Sequence, residues 1–424
     1  MTQVIVTVLV IVIIIPYSKK DYLCAKFLIM EESYQLVTKT VAGLEEVLAD
    51  EIRALGAKNV RLMHRAVLCE GNKEMMYRLN YNVRTGLKVL KPYKTFFAHN
   101  EDELYKGIQE INWSELLRTD QTFAIDAVVS GRVFTHSQYA ALKTKDAIVD
   151  QFRDVFGIRP SVNTLNPDLR INLHIREDKV QVLFDSSGES LHKRGYRKQV
   201  DKAPMNEALA AGLIQLSGWK ADSNFIDCMC GSGTLPIEAA MFAMKIPAGY
   251  YRKEWGFMKW PDYDEELWNK IKEEADSQIC DFDHEIWASD RSPKAIDIAK
   301  GNVNFAHLQH DIKVMKKDME DLTPPEDKGI VIINPPYGDR LDEADLDEAY
   351  RNIGNTLKHN FQGFTVWLIT DDAVALKNVG LKPKVKIPVW NGPLECRFVR
   401  FDIFEGKYND MKKRESEQQD NADQ

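Results

Sequence analysis

The chain has 424 residues, a hydrophobic fraction of 44% and a formal net charge of −8. That length holds two or three domains with cores of their own, and the apolar content is that of a globular chain rather than a disordered one. The acidic balance excludes a protein that coats nucleic acid over its whole surface, so any polyanion would have to meet local basic patches.

The N-terminus carries an apolar run from Val4 to Ile15, followed by Pro16, Lys19, Lys20 and Asp21. The run is too short to span a bilayer comfortably. It also lacks the preceding basic residues and the small cleavage-site residues of a secretory signal. We read Met30 as the start and residues 1–29 as an extension from an upstream start site, with a membrane anchor as the alternative. Residues 30–94 then form a small α+β unit. Tyr34, Leu36 and Thr38 alternate as in a strand, and Leu44, Val47, Leu48, Ile52 and Leu55 recur at helical spacing before Gly56. Two strands around Val60 and Ala66–Glu70 follow, then another helix.

A second α+β unit spans residues 95–187. It has a strand at Thr122–Val129, a long helix at Ser137–Phe156, and strands at Arg170–Arg176 and Lys179–Asp185 joined by Glu177-Asp178. Arg132, Lys143 and Lys145 give it a cationic side. Charges of this kind serve a solvated surface as readily as a polyanion. Residues 188–205 form a linker whose stretch Leu191-His192-Lys193-Arg194-Gly195-Tyr196-Arg197-Lys198 is the most basic in the chain. Lys193, Arg194 and Arg197 could neutralise phosphates while Tyr196 packs on a sugar or base, or the stretch could be a plain connector.

From residue 206 to 405 helices and strands alternate. The strands are expected at Asn224–Met229, Ile286–Ser289, Ile312–Met315, Gly329–Asn334 and Phe364–Thr370, which makes an α/β fold with a doubly wound, mainly parallel sheet. Val385–Trp390 and Cys396–Phe404 flank Asn391-Gly392-Pro393 and add an antiparallel hairpin. Residues 406–424 are charged and Gln-rich, and read as a disordered tail. The six cysteines are scattered, without paired C-x-x-C sets or a dense framework. Neither a zinc site nor disulfides are expected, and a reducing cytoplasm fits.

Three motifs carry chemistry. The first, Asp227-Cys228-Met229-Cys230-Gly231-Ser232-Gly233-Thr234, turns from a strand into a helix. Its glycines let backbone approach a ligand, and the helix start offers free N–H groups. No Gly-Lys-Ser/Thr follows, so it is not a phosphate loop. In the second, Asp290 at the tip of the next strand can accept hydrogen bonds from both hydroxyls of a ribose. It lies farther from the glycines than the usual ~20 residues, because an aromatic insert with Tyr250, Tyr251, Trp255, Phe257, Trp260 and Trp268 intervenes. Asp318, after the third strand, can accept from an adenine amino group or simply start a helix. The third motif, Asn334-Pro335-Pro336-Tyr337, follows the apolar strand Ile330–Ile333. Two prolines remove N–H donors and stiffen the chain, so the Asn334 amide oxygen and the Pro335 carbonyl become two fixed acceptors. Together they can hold the hydrogens of an exocyclic amine and free its lone pair to attack a methyl group, while Tyr337 offers a stacking face to a flipped base.

On these residues the chain resembles the THUMP-domain class I methyltransferases, and among them the bacterial large-subunit (23S) rRNA guanine-N2 methyltransferases. The likeness runs from about Tyr34 to Phe404. It rests on Leu191 to Arg197 with Ala203-Pro204, on Asp227 to Thr234, on Trp255-Gly256-Phe257 with Trp260, on Ser289-Asp290-Arg291, and on Asn334 to Leu341. It implies a ferredoxin-like domain, an RNA-binding THUMP domain and a class I methyltransferase domain. S-adenosylmethionine would be the cofactor, held by Asp227, Cys230, Gly231, Gly233, Thr234, Asp290, Asp318 and Asn334. The catalytic residues would be Asn334, Pro335, Pro336 and Tyr337. RNA, as 23S rRNA or an assembly intermediate of the large subunit, would meet Arg132, Lys143, Lys145, Lys193, Arg194, Tyr196 and Arg197, with neither metal nor membrane required. Rival readings are a tRNA guanine-N2 methyltransferase, a DNA adenine-N6 enzyme with the same catalytic motif, and a non-catalytic RNA-binding assembly factor. Some family members carry a second methyltransferase domain after the first, and the sequence here shows one.

Overall fold

The computed structural model describes residues 33–199, 204–325, 328–336 and 343–404. The apolar extension, the charged tail and Tyr337 therefore lie outside the described residues.

The first third of the chain contributes β1 (Tyr34–Thr40), α1 (Glu45–Ala54), β2 (Lys58–Met63), β3 (Ala66–Gly71), α2 (Lys73–Asn82) and β4 (Gly86–Phe97). It continues with α3 (Glu101–Gln109), β5 (Thr122–Ser130), α4 (Ser137–Phe156), β6 (Ser161–Val162), β7 (Leu169–Arg176) and β8 (Lys179–Asp185). Local chemistry sets several of the ends. Asn72 and Asn100 cap α2 and α3 by accepting from Met75 and Glu103 N–H groups, and α4 stops at Gly157, whose φ of 71° is left-handed.

Both α+β units share one eight-stranded sheet, in the order β2-β3-β1-β4-β8-β7-β5-β6. β4 makes the join. Its first residues pair with β1, and Leu90 to Phe97 pair antiparallel with β8. The strand thus runs through the boundary drawn at residue 94. Leu36, Leu48, Tyr77, Trp113, Phe123, Phe152 and Ile171 belong to one continuous core, so the two units form a single layer of helices on one sheet.

The rest of the chain comprises α5 (Glu207–Leu216), β9 (Phe225–Asp227), α6 (Thr234–Ala243), α7 (Glu265–Asp276), β10 (Ile286–Asp290), α8 (Pro293–Phe305) and β11 (Ile312–Lys316). After these come β12 (Ile330–Ile333), α9 (Glu343–Asn360), β13 (Thr365–Thr370), α10 (Ala375–Asn378), β14 (Val385–Asn391) and β15 (Leu394–Asp402). The sheet order is β11-β10-β9-β12-β13-β15-β14, parallel until the terminal hairpin. Strand alternation explains why both faces are covered. Phe225, Ile330 and Ile332 belong to the core under α5, α6 and α8, while Ile226, Val331 and Ile333 belong to the core under α9. The order reverses between β9 and β12, and that switch point opens a crevice at the carboxyl ends of the strands.

The aromatic insert does not cover this crevice. Trp255, Phe257, Trp260 and Trp268 join the core of the N-terminal layer. Phe257 lies 4.4 Å from Tyr77, Trp268 lies 5.5 Å edge-on from Tyr81, and Trp260 lies 6.2 Å from Phe184. Rings of this size bury large areas with defined geometry, so the insert clamps the methyltransferase sheet to the layer before it. Gly256 permits the close approach, since a Cβ there would sit 2.7 Å from the Asp185 carbonyl oxygen. No helix among the described residues is long and apolar enough to cross a membrane.

Candidate active site

At the carboxyl end of β9 the chain makes a tight turn. The Cys230 N–H donates to the Ser289 carbonyl of β10 at 2.9 Å, and Gly233 N–H donates to the Cys230 carbonyl at 2.8 Å. Gly231 and Gly233 have φ of 52° and 82°, the left-handed region that glycine enters without a Cβ penalty. A Cβ on Gly231 would meet no protein atom within 4 Å, so the backbone there borders open space. Gly233 serves packing instead. It is the residue preceding α6, and a Cβ on it would press on the Cβ of Ala299 in α8 at 3.3 Å.

Two carboxylates flank the turn. Asp290 accepts from Gly231 N–H at 3.0 Å and from Ser292 N–H at 2.9 Å, which fixes both oxygens beside the glycines. Asp227 is buried and accepts from Met229 N–H at 3.1 Å. Burial pushes its carboxyl up to about 8; the Met229 N–H opposes the rise and the nearby Asp290 adds to it. Asp318 accepts from Glu320 N–H at 3.3 Å at the start of a single 3-10 turn and also lines the crevice. The helix-starting role read from the sequence is thus present, and the carboxylate also borders the cleft.

These groups converge on a cleft of about 370 Å³. Asp227, Cys230, Gly231, Thr234, Asp290, Asp318, Asn334 and Pro336 line it, whereas Gly233 and the buried Pro335 support it from behind. β12 is buried throughout and delivers Asn334 to the floor. The Asn334 Oδ1 is buried and has no hydrogen-bond partner among the described residues. A buried acceptor left unpaired costs about 1–3 kcal/mol unless a ligand satisfies it. Sequence reasoning missed Met205, the last residue of the linker, and Asn352 and Thr356 on α9. The signal for the latter pair is their i, i+4 spacing beside the buried Ile353 and Leu357, a polar pair on an apolar helix face.

The basic residues scatter. Arg194 and Tyr196 are corrected from the RNA-contact expectation, because both are 1% exposed. Arg194 Nε lies 3.2 Å from Glu238 Oε1, and Tyr196 Oη donates to the same oxygen at 3.0 Å. Glu238 is a fully buried carboxylate on α6, and a charge in that position demands donors, which the linker supplies. Arg197 is half-buried and turned to Glu207 and Thr234. Lys193 is exposed, pairs with Glu189 at 2.6 Å, and lines a second cavity of about 610 Å³ with Arg170, Arg252, Lys253 and Lys259. In the N-terminal layer Lys143 pairs with Asp102 at 3.2 Å and Lys145 with Asp146 at 2.9 Å, while Arg132 is exposed without an ion pair among the described residues. Surface pairs of this sort contribute little and exchange readily for phosphate. The described residues hold no group of three or more His, Cys, Asp and Glu placed to bind a metal ion.

Three family models match the chain in order: an RlmL ferredoxin-like domain over residues 35–90, a THUMP domain over 98–185, and an RMKL-like methyltransferase domain over 194–400. A Synechocystis sp. protein described as a candidate RNA methyltransferase is 36% identical over 368 residues, covering 86% of this chain and 96% of the relative. The chain belongs to the THUMP-domain family of S-adenosylmethionine-dependent RNA methyltransferases. A second family member, the ribosomal RNA large subunit methyltransferase K/L of Syntrophotalea carbinolica, is 37% identical over 379 residues. The chain spans 86% of itself but about half, 53%, of that relative's length. A methyltransferase crystallised with S-adenosylhomocysteine superposes with a TM-score of 0.80 at 30% identity, over 89% of this chain and 100% of the other. TrmN from Thermus thermophilus, at 17% identity and a TM-score of 0.64 over 88% of this chain and 100% of its own, shares the fold.

The cleft fits the family cofactor. Gly231 borders open space, and the carboxylates of Asp290 and Asp318 with Asp227 and Thr234 line the same cleft, so they would hold the hydroxyl and amino donors of that cofactor. When bound, S-adenosylmethionine supplies an electrophilic methyl group on a sulfonium sulfur. The chain supplies orientation and hydrogen-bond acceptors.

Proposed function

We propose that this enzyme methylates the exocyclic N2 amine of a guanine in 23S rRNA. The observation that carries the chemistry is the unpaired Asn334 Oδ1 at the floor of the cofactor cleft. An aromatic amine delocalises its lone pair into the ring. Acceptors on its two hydrogens, the Asn334 side chain and the Pro335 carbonyl, draw that pair back to nitrogen. S-adenosylmethionine, held beside the Gly231 turn, Asp227 and Asp290, would supply the methyl group and leave as S-adenosylhomocysteine, and the amine's surplus proton would pass to water. Alignment alone can supply ~7–11 kcal/mol of the barrier. Tyr337 follows directly in sequence and serves as the stacking face for the flipped base. The large-subunit rRNA target is supported by the likeness to the ribosomal RNA large subunit methyltransferase K/L of Syntrophotalea carbinolica. Docking falls to the THUMP domain, through Arg132, Lys143 and Lys145, and to Lys193 at the linker, with the reaction taking place in the cytoplasm.

The catalytic assignment is tested with Asn334→Ala. Removing a single pre-aligned acceptor of this type lowers kcat by about 10²–10³-fold. Because the cofactor keeps Asp227, Asp290, Asp318 and the glycine turn, its dissociation constant should stay within about threefold by calorimetry, less than the cost of one hydrogen bond. Near-normal turnover in that variant would sink the mechanism.

A further inference from the structure

Arg197 belongs to the linker motif that reads as an RNA contact, yet its guanidinium is turned inward. Its Nε lies 2.8 Å from Glu207 Oε1, with the two side chains 13% and 6% exposed. Its Nη2 donates to the Met205 carbonyl at 2.9 Å and to Thr234 Oγ1 at 2.9 Å. Met205 and Thr234 both line the cofactor cleft. Thr234 opens α6 next to the glycine turn, and its hydroxyl lies 3.3 Å from Ser232 Oγ, also on the cleft wall.

The flanking residues are tied to the same wall. Asn302 on α8 accepts from the Lys198 and Gln199 N–H groups at 3.1 and 3.2 Å, and its amide donates to the Ser232 carbonyl at 3.0 Å. On the other side Asn206 caps α5, accepting from Ala208 N–H at 2.9 Å, which holds Glu207 at the helix start. The linker is therefore bonded to the glycine turn at two points, and among the described residues Arg197 hydrogen-bonds both Met205 and Thr234 while its guanidinium forms an ion pair with Glu207.

We propose that Arg197 is a positioning residue for the cofactor, shaping the polar end of the cleft through Thr234 and Met205, and is not a phosphate contact. The chemistry follows from the donor pattern. Because Nη2 occupies a lone pair of Thr234 Oγ1, the threonine proton is left to point at an acceptor, either Ser232 Oγ or the carboxylate of an amino-acid-bearing cofactor. A planar guanidinium can donate from Nη2 to Met205 and Thr234 while its Nε edge pairs with Glu207, a spread of contacts that the compact ammonium of a lysine does not match. The inference rests on the cofactor assignment and not on which base is methylated.

The test measures S-adenosylmethionine binding by calorimetry and, separately, RNA binding by the cofactor-free enzyme across a salt series. Arg197→Met should weaken cofactor binding about tenfold or more, the scale of one lost charge-assisted hydrogen bond. RNA affinity and its salt slope should stay unchanged, whereas loss of a phosphate contact lowers that slope by about one. Arg197→Lys should recover less than half of the loss, and it provides the same readout if the methionine variant does not fold. Thr234→Val should weaken cofactor binding by itself, and adding Arg197→Met to it should cost much less than in the wild type, which a general folding defect would not produce. Unchanged cofactor affinity with weakened RNA binding, or full additivity of the two substitutions, would overturn the proposal.

Discussion

Asp227 is a cleft carboxyl held far from its ordinary protonation behaviour. With its folded pKa raised to about 8 from the usual 3.8, the native state holds a proton that the unfolded chain has already released between those values. Stability from this group is therefore present at low pH and declines as pH rises through that window, by up to about 1.4 kcal/mol per pH unit. Asp227→Asn keeps the acceptor for Met229 N–H and removes the ionisation. Its stability relative to wild type should improve steadily from about pH 5 to about pH 8 in denaturant titrations, a window bounded by the linkage above; a constant difference across it would contradict the buried, protonated carboxyl. At this scale the glycine turn was legible, since Asp227, Gly231 and Gly233 stand within one short stretch of sequence, whereas Asp290 could be read only from its place at the tip of the next strand. Arg194 and Tyr196 were misread because the carboxylate that buries them, Glu238, lies 44 and 42 residues away. Nothing in the local spacing of a basic stretch announces such a partner.

Among the elements, β12 and α4 were the most legible. A run of isoleucine and valine ending in Asn-Pro-Pro can only be a buried strand followed by a stiff turn, and α4 stops at a glycine. The aromatic insert was visible as composition, but its task was not, because its partners on α2 and β8 are far away in the chain. Trp268 on α7 is 2% exposed and packs on Tyr81, Trp255 and Phe257 at 5.5, 4.7 and 5.0 Å. Trp268→Ala should cost about 3–5 kcal/mol and expose the insert to limited proteolysis. An unchanged unfolding midpoint and digestion pattern would show that the clamp lies elsewhere.

At the level of the whole molecule, an acidic chain of net charge −8 packs an N-terminal layer against the sheet that carries the cleft. The shared strand β4 joins the ferredoxin-like and THUMP parts in one sheet, and the aromatic insert packs on the core of that layer. The division into successive α+β units was readable from periodicity; the continuity of their sheet was not, because strand pairing across a domain boundary leaves no periodic trace. Such a frame would hold an RNA at a set distance from Asn334, so that one nucleotide is presented. The decisive measurement is transfer of labelled methyl from S-adenosylmethionine to unmodified 23S rRNA and, in parallel, to unmodified tRNA, followed by nucleoside analysis. N2-methylguanosine in the rRNA alone is the expected product; label confined to tRNA, or a methylated nucleoside other than N2-methylguanosine, would refute guanine-N2 methylation of 23S rRNA.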